Sequence, residues 1–213
     1  MATRNYGQAC SVAHFLDHLG SRWYLLIIRD LLIGPRRFNQ LLEGLPGIGA
    51  NRLTSRLAEL QEMNVVRKIE NAGTHVMVYE LTERGQDLEP VILSMARWGL
   101  RHLRGGSRDE ISRPDLLVVA FRAAFNPARA TGIQEVYEFH IDETIFFIEV
   151  DNGEIRTGLG PAENDAFIFT TDGDTFEAIL SGRLSPGKAK EHRAHKVVGD
   201  NKAFDRCMRM FTA

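Results

Sequence analysis

The chain has 213 residues, a hydrophobic content of 44%, a charged content of 25% and a formal net charge of -2. These ordinary proportions exclude wholesale disorder, and the length favours two compact domains. The longest apolar run, Trp23 to Ile28, is far shorter than the roughly 20 residues that a membrane span needs. Residues 1–8 do not resemble a secretory signal, so we expect a cytoplasmic protein.

Charge and cysteine usage narrow the class of partner. Residues 1–105 contain 13 Arg and Lys against 10 Asp and Glu, a balance of +3, which leaves -5 for the remainder. A basic amino-terminal half suits a nucleic-acid partner, whereas the acidic half is a poor DNA-binding surface. Two cysteines, Cys10 and Cys207, cannot form a disulfide framework, and no paired CxxC pattern is present. No cofactor or metal site is predicted.

The first half shows mainly helical periodicity. Helices are predicted over 10–19, 21–33, 37–43 and 50–63, and Ser21 is the expected N-cap of the second. Strands over 65–70 and 76–81 form a hairpin, and Thr82 caps a long final helix over 83–103. This order is that of a winged helix, so the predicted fold class is largely α-helical with a small β-hairpin wing.

The helix over 50–63 is the candidate recognition helix. Leu53, Leu57 and Leu60 follow one another at i, i+4 and i+7 and form its apolar face. In a helix-turn-helix the amino-terminal residues of the second helix approach the bases, and Asn and Arg can each make paired hydrogen bonds to a purine edge. The candidate DNA-binding residues are Asn51, Arg52 and Ser55 as base readers, the flanking Arg56, and Arg36, Arg37, Lys68 and His75 as phosphate contacts. A plain solvated helix face explains the same pattern and remains an alternative.

Several segments of this half carry a family resemblance. They are Gly20 to Trp23, Ile28 to Leu32, Arg37 to Leu41, Leu45 to Ile48, Leu53 to Leu60 and Tyr79 to Gly85. Together they make residues of about 10–103 closely resemble the HxlR family of winged-helix regulators, which is related in fold to MarR-type proteins. The resemblance implies a homodimer, formed by the terminal helices of the domain, that binds two half-sites of a double-stranded DNA operator.

The same resemblance bears on four single residues. Asn64 stands where the family usually has Gly, and Asn tolerates the left-handed conformation that the turn needs. Cys10 matches a position where some relatives resemble thiol switches, which makes it a redox candidate; a routine buried cysteine is the alternative. Trp23 and Trp98 resemble tryptophans that pack in the helical core.

The second half reads as a separate α+β domain. We predict domain bounds of 1–105 and 114–213, joined by a linker over 106–113 that is rich in glycine and charge. A helix over 114–125 is followed by strands over 133–141, 144–150, 154–158 and 165–171. A helix over 174–180, a strand over 195–198 and a helix over 201–211 complete the prediction.

This half resembles the sterol carrier protein type-two-like fold. The segments that carry the resemblance are Thr144 to Gly153, Thr175 to Gly182 and Val197 to Asp200. It implies an apolar tunnel for a hydrophobic small molecule, although a filled core fits the same residues. The candidate ligand-binding residues are Phe121, Phe125, Phe146, Ile148, Phe167, Phe176 and Ile179.

These observations favour a DNA-binding transcriptional regulator controlled by a hydrophobic effector in the second domain. One alternative is a lipid carrier that uses the winged helix for protein interaction. Another is a redox-sensing regulator acting through Cys10. No nucleophile elbow, phosphate-binding loop or zinc-protease helix is visible, so we expect no enzymatic activity.

Overall fold

The computed structural model describes residues 5–71, 73–102, 113–185, 188 and 195–211. Its contacts divide the chain into two units, Met1–Ile92 and Leu93–Ala213. Nearly all of the predicted linker, residues 106–112 of 106–113, lies outside the described residues. Among the described helices, none is both long and apolar enough to cross a membrane.

The first unit has the predicted winged-helix order. Its elements are α1 (Ser11–Leu19), α2 (Tyr24–Leu32), α3 (Phe38–Gly44), α4 (Ala50–Glu62), β1 (Val66–Glu70), β2 (Met77–Leu81) and α5 (Glu83–Gln86). The helix α6 (Glu89–His102) spans the division between the units. Strands β1 and β2 pair in antiparallel register, and the backbone of Arg36 bridges to Tyr79 on β2.

The prediction of one continuous helix over 83–103 is wrong, because the structure has two helices in this segment. Thr82 caps α5 as expected, accepting a hydrogen bond from the Gly85 N–H at 3.1 Å, but α5 ends at Gln86 and α6 begins at Glu89. Pro90 explains the break, because a proline inside a helix lacks the N–H and its ring clashes with the carbonyl four residues earlier.

The start of α2 also differs from the prediction. Ser21 does not cap it; the helix begins at Tyr24, and the preceding Trp23 has a φ of 90°. A bulky residue in the left-handed region is uncommon and is held there only by its surroundings. Trp23 is buried as expected, with an indole nitrogen that has no hydrogen-bond partner in the described chain.

Two other turns show why particular residues stand where they do. Asn64 has a φ of 54°, which confirms that it takes the left-handed conformation. Gly85, in α5, packs against the backbone just after Asn64. A Cβ at position 85 would lie 2.2 Å from the carbonyl oxygen of Val65. A side chain at position 85 would therefore push α5 away from the backbone at Val65, which leads into β1.

The second unit is built on a five-stranded mixed sheet. Its elements are a 3-10 turn (Pro114–Leu116), α7 (Leu117–Ala124), a second 3-10 turn (Pro127–Arg129), β3 (Gln134–Ile141), β4 (Thr144–Asp151), β5 (Glu154–Leu159), β6 (Phe167–Thr171), α8 (Gly173–Leu180), β7 (Lys196–Gly199) and α9 (Asn201–Phe211). The strand order is β5-β4-β3-β6-β7, with β3 parallel to β6 and the other neighbours antiparallel. Alternate residues of β3, β4 and β6 face a core that side chains of α7, α8 and α9 complete.

Candidate DNA-binding site

The helix α4 presents a polar amino-terminal turn on an apolar base. Leu53, Leu57 and Leu60 are almost completely buried, so they fix which face of the helix points outward. Asn51 and Arg52 are exposed in the first turn, and neither side chain is hydrogen-bonded or ion-paired within the described residues. Both are therefore available to an external partner.

The residue before α4 adds to this availability. Gly49 is the N-cap and has no side chain to bond the first-turn N–H groups. A helix amino terminus with uncapped N–H groups favours negative charge, such as a DNA phosphate. The exposed turn thus combines the two candidate base-reading side chains with an electropositive helix end.

Ser55 and Arg56, by contrast, are engaged inside the unit. The Ser55 hydroxyl donates to Glu59 Oε1 at 3.0 Å, and Arg56 forms an ion pair with the same carboxylate. The guanidinium of Arg56 also lies 5.3 Å from the ring centroid of Tyr24 and donates to its hydroxyl at 3.4 Å. Tyr24, which is buried at the start of α2, donates its own hydroxyl proton to Glu59.

Sequence reasoning missed this contact between helices. A helical wheel of α4 places Glu59 on the outward side, yet the packing of α2 leaves its side chain only 25% exposed. Partial burial alone would raise the pKa of Glu59, but hydrogen bonds from Tyr24, Arg56 and Ser55 outweigh it and lower the pKa. The wheel carries no information on neighbouring helices, so only the tertiary structure reveals this cluster.

The wing carries two of the predicted phosphate contacts. Lys68 is exposed on β1, with its ammonium 5.6 Å from the ring centroid of Tyr79. His75, at the tip of the hairpin, is exposed, and its Nδ1 lies 2.7 Å from Glu70 Oε1. Both are at the surface, where a phosphate backbone can be reached.

The remaining two candidates precede α3. Arg37 is exposed at the N-cap, where its backbone N–H donates to Gln40 Oε1 at 2.8 Å. Arg36 is half-buried, and its backbone N–H and carbonyl pair with those of Tyr79 at 2.9 and 2.8 Å. This bridge fixes the segment before α3 against the wing, so the two predicted groups of phosphate contacts share one rigid support.

Comparison with known proteins agrees with this arrangement. The HxlR-like helix-turn-helix family matches residues 18–106. The uncharacterised HTH-type transcriptional regulator sll1512 of Synechocystis sp. is 35% identical over 94 residues, which cover 44% of this chain and 70% of that protein. This chain belongs to the HxlR family.

Two further comparisons concern one relative of this HxlR-family chain. The HTH-type transcriptional regulator YodB of Bacillus subtilis is 40% identical over 81 residues, which cover 38% of this chain and 72% of YodB. The solved structure of its reduced form has a TM-score of 0.39 and 33% identity, covering 47% of this chain and 100% of that one. The assignment places this chain among DNA-binding transcriptional regulators of the helix-turn-helix type.

The first unit also contains the redox candidate, which lies before the residues that match the HxlR family. Cys10 is a free, exposed cysteine at the N-cap of α1. Hydrogen bonds from the backbone of Ala13 and Val12 lower the pKa of its thiol, because they stabilise the thiolate. Cys207 is also a free cysteine, but it is completely buried on α9, and desolvation raises the pKa of its thiol.

The candidate ligand-binding residues lie in the second unit, beyond the HxlR match. All seven are buried in its single core cluster, at most 6% exposed. The ring of Phe121 lies 4.9 Å from that of Phe176 and 4.3 Å from that of Phe211. In this structure the aromatic rings pack against one another, so the lining of a ligand cavity by these residues stays a prediction.

Proposed function

We propose that this HxlR-family chain recognises a specific operator as a homodimer, with α4 in the major groove. One observation carries the proposal: in the first turn of α4, Asn51 and Arg52 are exposed and have no hydrogen-bond or ion-pair partner in the part of the chain that the structure describes. This is the position from which a recognition helix reads bases. The exposed Lys68 and Arg37 supply charge for the phosphate backbone, which gives affinity but little sequence information.

Exposed apolar side chains support the homodimer. Trp98, predicted to be core, is 58% exposed on α6, which corrects that prediction for the single chain. Met95 and Val91 on the same helix, and Val12 and Leu16 on α1, are also exposed. Large exposed apolar groups on a helix are typical of an interface, because a second copy would remove them from water.

Selection from a random duplex library tests the operator proposal. The full chain is expected to enrich one partly palindromic sequence whose half-sites lie about one helical turn apart. Sedimentation at micromolar concentration, where a dimer is expected, tests the assembly. A monomer, or a library that stays random after several rounds, would contradict the proposal.

We further propose that a hydrophobic small molecule bound in the second unit changes operator affinity. The support is the acidic balance of this half and its large buried aromatic core, which offer an apolar environment but a poor DNA-binding surface. Because the rings pack against one another, such a ligand must displace side chains. Native mass spectrometry of the purified chain, looking for a retained small molecule, tests occupancy.

A thiol-sensing role is the second candidate, and the environment of Cys10 favours it. An exposed cysteine with a lowered pKa has more thiolate at neutral pH and reacts faster with electrophiles and oxidants. Treatment with diamide should weaken operator binding in the wild type and leave a Cys10→Ser variant unaffected. Equal responses of the two proteins would remove Cys10 from the mechanism.

A further inference from the structure

The cluster beside the recognition helix joins two helices through one carboxylate. Glu59 accepts hydrogen bonds from Ser55 and Arg56 on its own helix and from Tyr24 on α2. The Tyr24 hydroxyl also accepts a hydrogen bond from Arg56. Tyr24, Arg56 and Glu59 therefore each contact the other two. A closed set of charge-assisted bonds of this kind holds its members in one geometry.

The cluster occupies a position from which it can set the angle of α4. Tyr24 is the first residue of α2 and follows Trp23, whose left-handed backbone fixes the approach of the chain. Arg56 and Glu59 lie four to eight residues after Asn51 and Arg52, about one to two turns along the same helix. A small rotation of α4 about this point would displace the exposed first turn.

We infer that Tyr24, Arg56 and Glu59 form a brace that fixes α4 against α2, and that Arg56 acts as a positioning residue for Asn51 and Arg52 without contacting DNA itself. The inference rests on the proposed operator binding. Arg56 is only 19% exposed, and one of its guanidinium nitrogens, Nε, is buried without a hydrogen-bond partner in the described chain. Swinging the side chain towards a phosphate would leave Glu59 without its counter-charge next to the buried Tyr24 ring.

Salt dependence distinguishes a brace from a phosphate contact. The probe is the duplex that the full-length wild type enriches from a random library, titrated between 50 and 200 mM salt. Arg56→Ala is expected to lower the affinity for this duplex about tenfold and to leave the slope of log K against log salt unchanged. Arg56→Lys is expected to show the same loss of affinity, because an ammonium group lacks the planar, bidentate geometry of a guanidinium. Lys68→Ala, a phosphate-contact control, should flatten the slope by about 0.9.

The opposite result would overturn the inference. If Arg56→Ala flattens the slope by about 0.9 and Arg56→Lys restores both slope and affinity, the residue is a phosphate contact. Thermal melting of each variant checks that it is folded at the assay temperature.

A second series tests the brace through the two other members, Tyr24 and Glu59. Tyr24→Phe and Glu59→Gln should each lower the ratio of affinities for the enriched duplex and a random duplex about fivefold, and the double variant should be no worse than the more affected single one. Glu62→Gln is the matched control, since it removes the same charge from the same helix at an exposed residue with no contact among those described. Additive losses, or a wild-type ratio in Tyr24→Phe, would overturn the brace.

Failure of the operator proposal gives a different pattern. If the wild type enriches no sequence, the regulator proposal fails. Whether Tyr24, Arg56 and Glu59 act together is then tested by the melting temperatures of the variants alone. In that case Tyr24→Phe, Glu59→Gln and the double variant should melt within about 1 °C of one another, and below both the wild type and Glu62→Gln. Melting shifts that simply add would show that the three side chains do not act together.

Discussion

At the scale of single residues, exposure divides the eight predicted DNA contacts into groups with different expected roles. Asn51 and Arg52 are exposed in the first turn of α4 with no partner among the described residues, and Ser55 and Arg56 bind Glu59. Lys68 and His75 lie on the wing, and Arg36 and Arg37 precede α3. Residue type alone could not make this distinction, because it depends on contacts: Arg56 has Glu59 on its own helix and Tyr24 of α2 beside it.

The free pair leads to the first prediction. Asn51→Ala or Arg52→Ala should lower discrimination between the enriched duplex and random DNA by about 1 to 3 kcal/mol, the value of a lost bidentate base contact. Lys68→Ala should weaken both duplexes by similar factors and flatten the salt dependence. Fluorescence-anisotropy titrations measure both quantities, and identical behaviour of all three variants would abolish the division between base readers and phosphate contacts.

The two cysteines lead to the second prediction. At pH 7, iodoacetamide should modify Cys10 in the folded protein and leave Cys207 intact, since the thiolate of Cys10 is stabilised and exposed whereas burial raises the pKa of Cys207. Because a lowered pKa keeps the thiolate populated at lower pH, the rate at Cys10 should fall off later, as pH decreases, in the folded protein than in the unfolded chain.

Peptide mass spectrometry measures the labelling, and the same reaction in guanidinium is the control, where both cysteines should react. Labelling of Cys207 at the same rate as Cys10 in the folded chain would show that α9 opens readily.

At the scale of elements, the junction between the wing and α5 leads to the third prediction. Gly85→Ala should destabilise the protein by about 1 to 3 kcal/mol, because the new Cβ would meet the carbonyl of Val65 at 2.2 Å and force the backbone apart. Gly73→Ala is the matched control, since a Cβ there would meet only the end of the Asn71 side chain at 3.6 Å. Urea denaturation measures both variants, and equal midpoints would mean that the turn adapts without cost.

Element order was largely predictable, and the errors have local physical causes. Alternation of apolar residues correctly predicted the strands of both units, and leucine spacing correctly predicted α4. The start of α2 was missed because a tryptophan in the left-handed region has no sequence signature. The interruption after Gln86 is not signalled by helical periodicity, which continues on both sides of it; Pro90 is its local cause.

At the scale of the whole chain, burial patterns were harder to predict than elements. The sequence predicts a core position for both Trp23 and Trp98, yet Trp23 is buried and Trp98 is exposed. Sequence periodicity does not distinguish an apolar face that packs against its own chain from one that stays exposed. The seven candidate ligand residues share this ambiguity. An apolar side chain that fills a core and one that lines a cavity have the same pattern.

Coupling between ligand and operator leads to the fourth prediction. A molecule recovered from the purified chain should change operator affinity by about 1 to 3 kcal/mol, and the operator must change ligand affinity by the same factor. Ala178→Trp, on the half-buried face of α8, should abolish the ligand effect and leave unliganded operator affinity nearly unchanged. Equal operator affinity with and without ligand would make the second unit a carrier or a passenger.

The unequal burial of the two tryptophans has a practical consequence for optical experiments. They are the only two in the sequence, one packed near the turn before α4 and the other in water on α6. Emission at longer wavelengths should therefore come from Trp98 and shift to shorter wavelengths if that side chain is covered by a second copy. A Trp98→Phe variant would leave Trp23 as the single tryptophan, and selective excitation would then report on movement beside α4 with no dye attached.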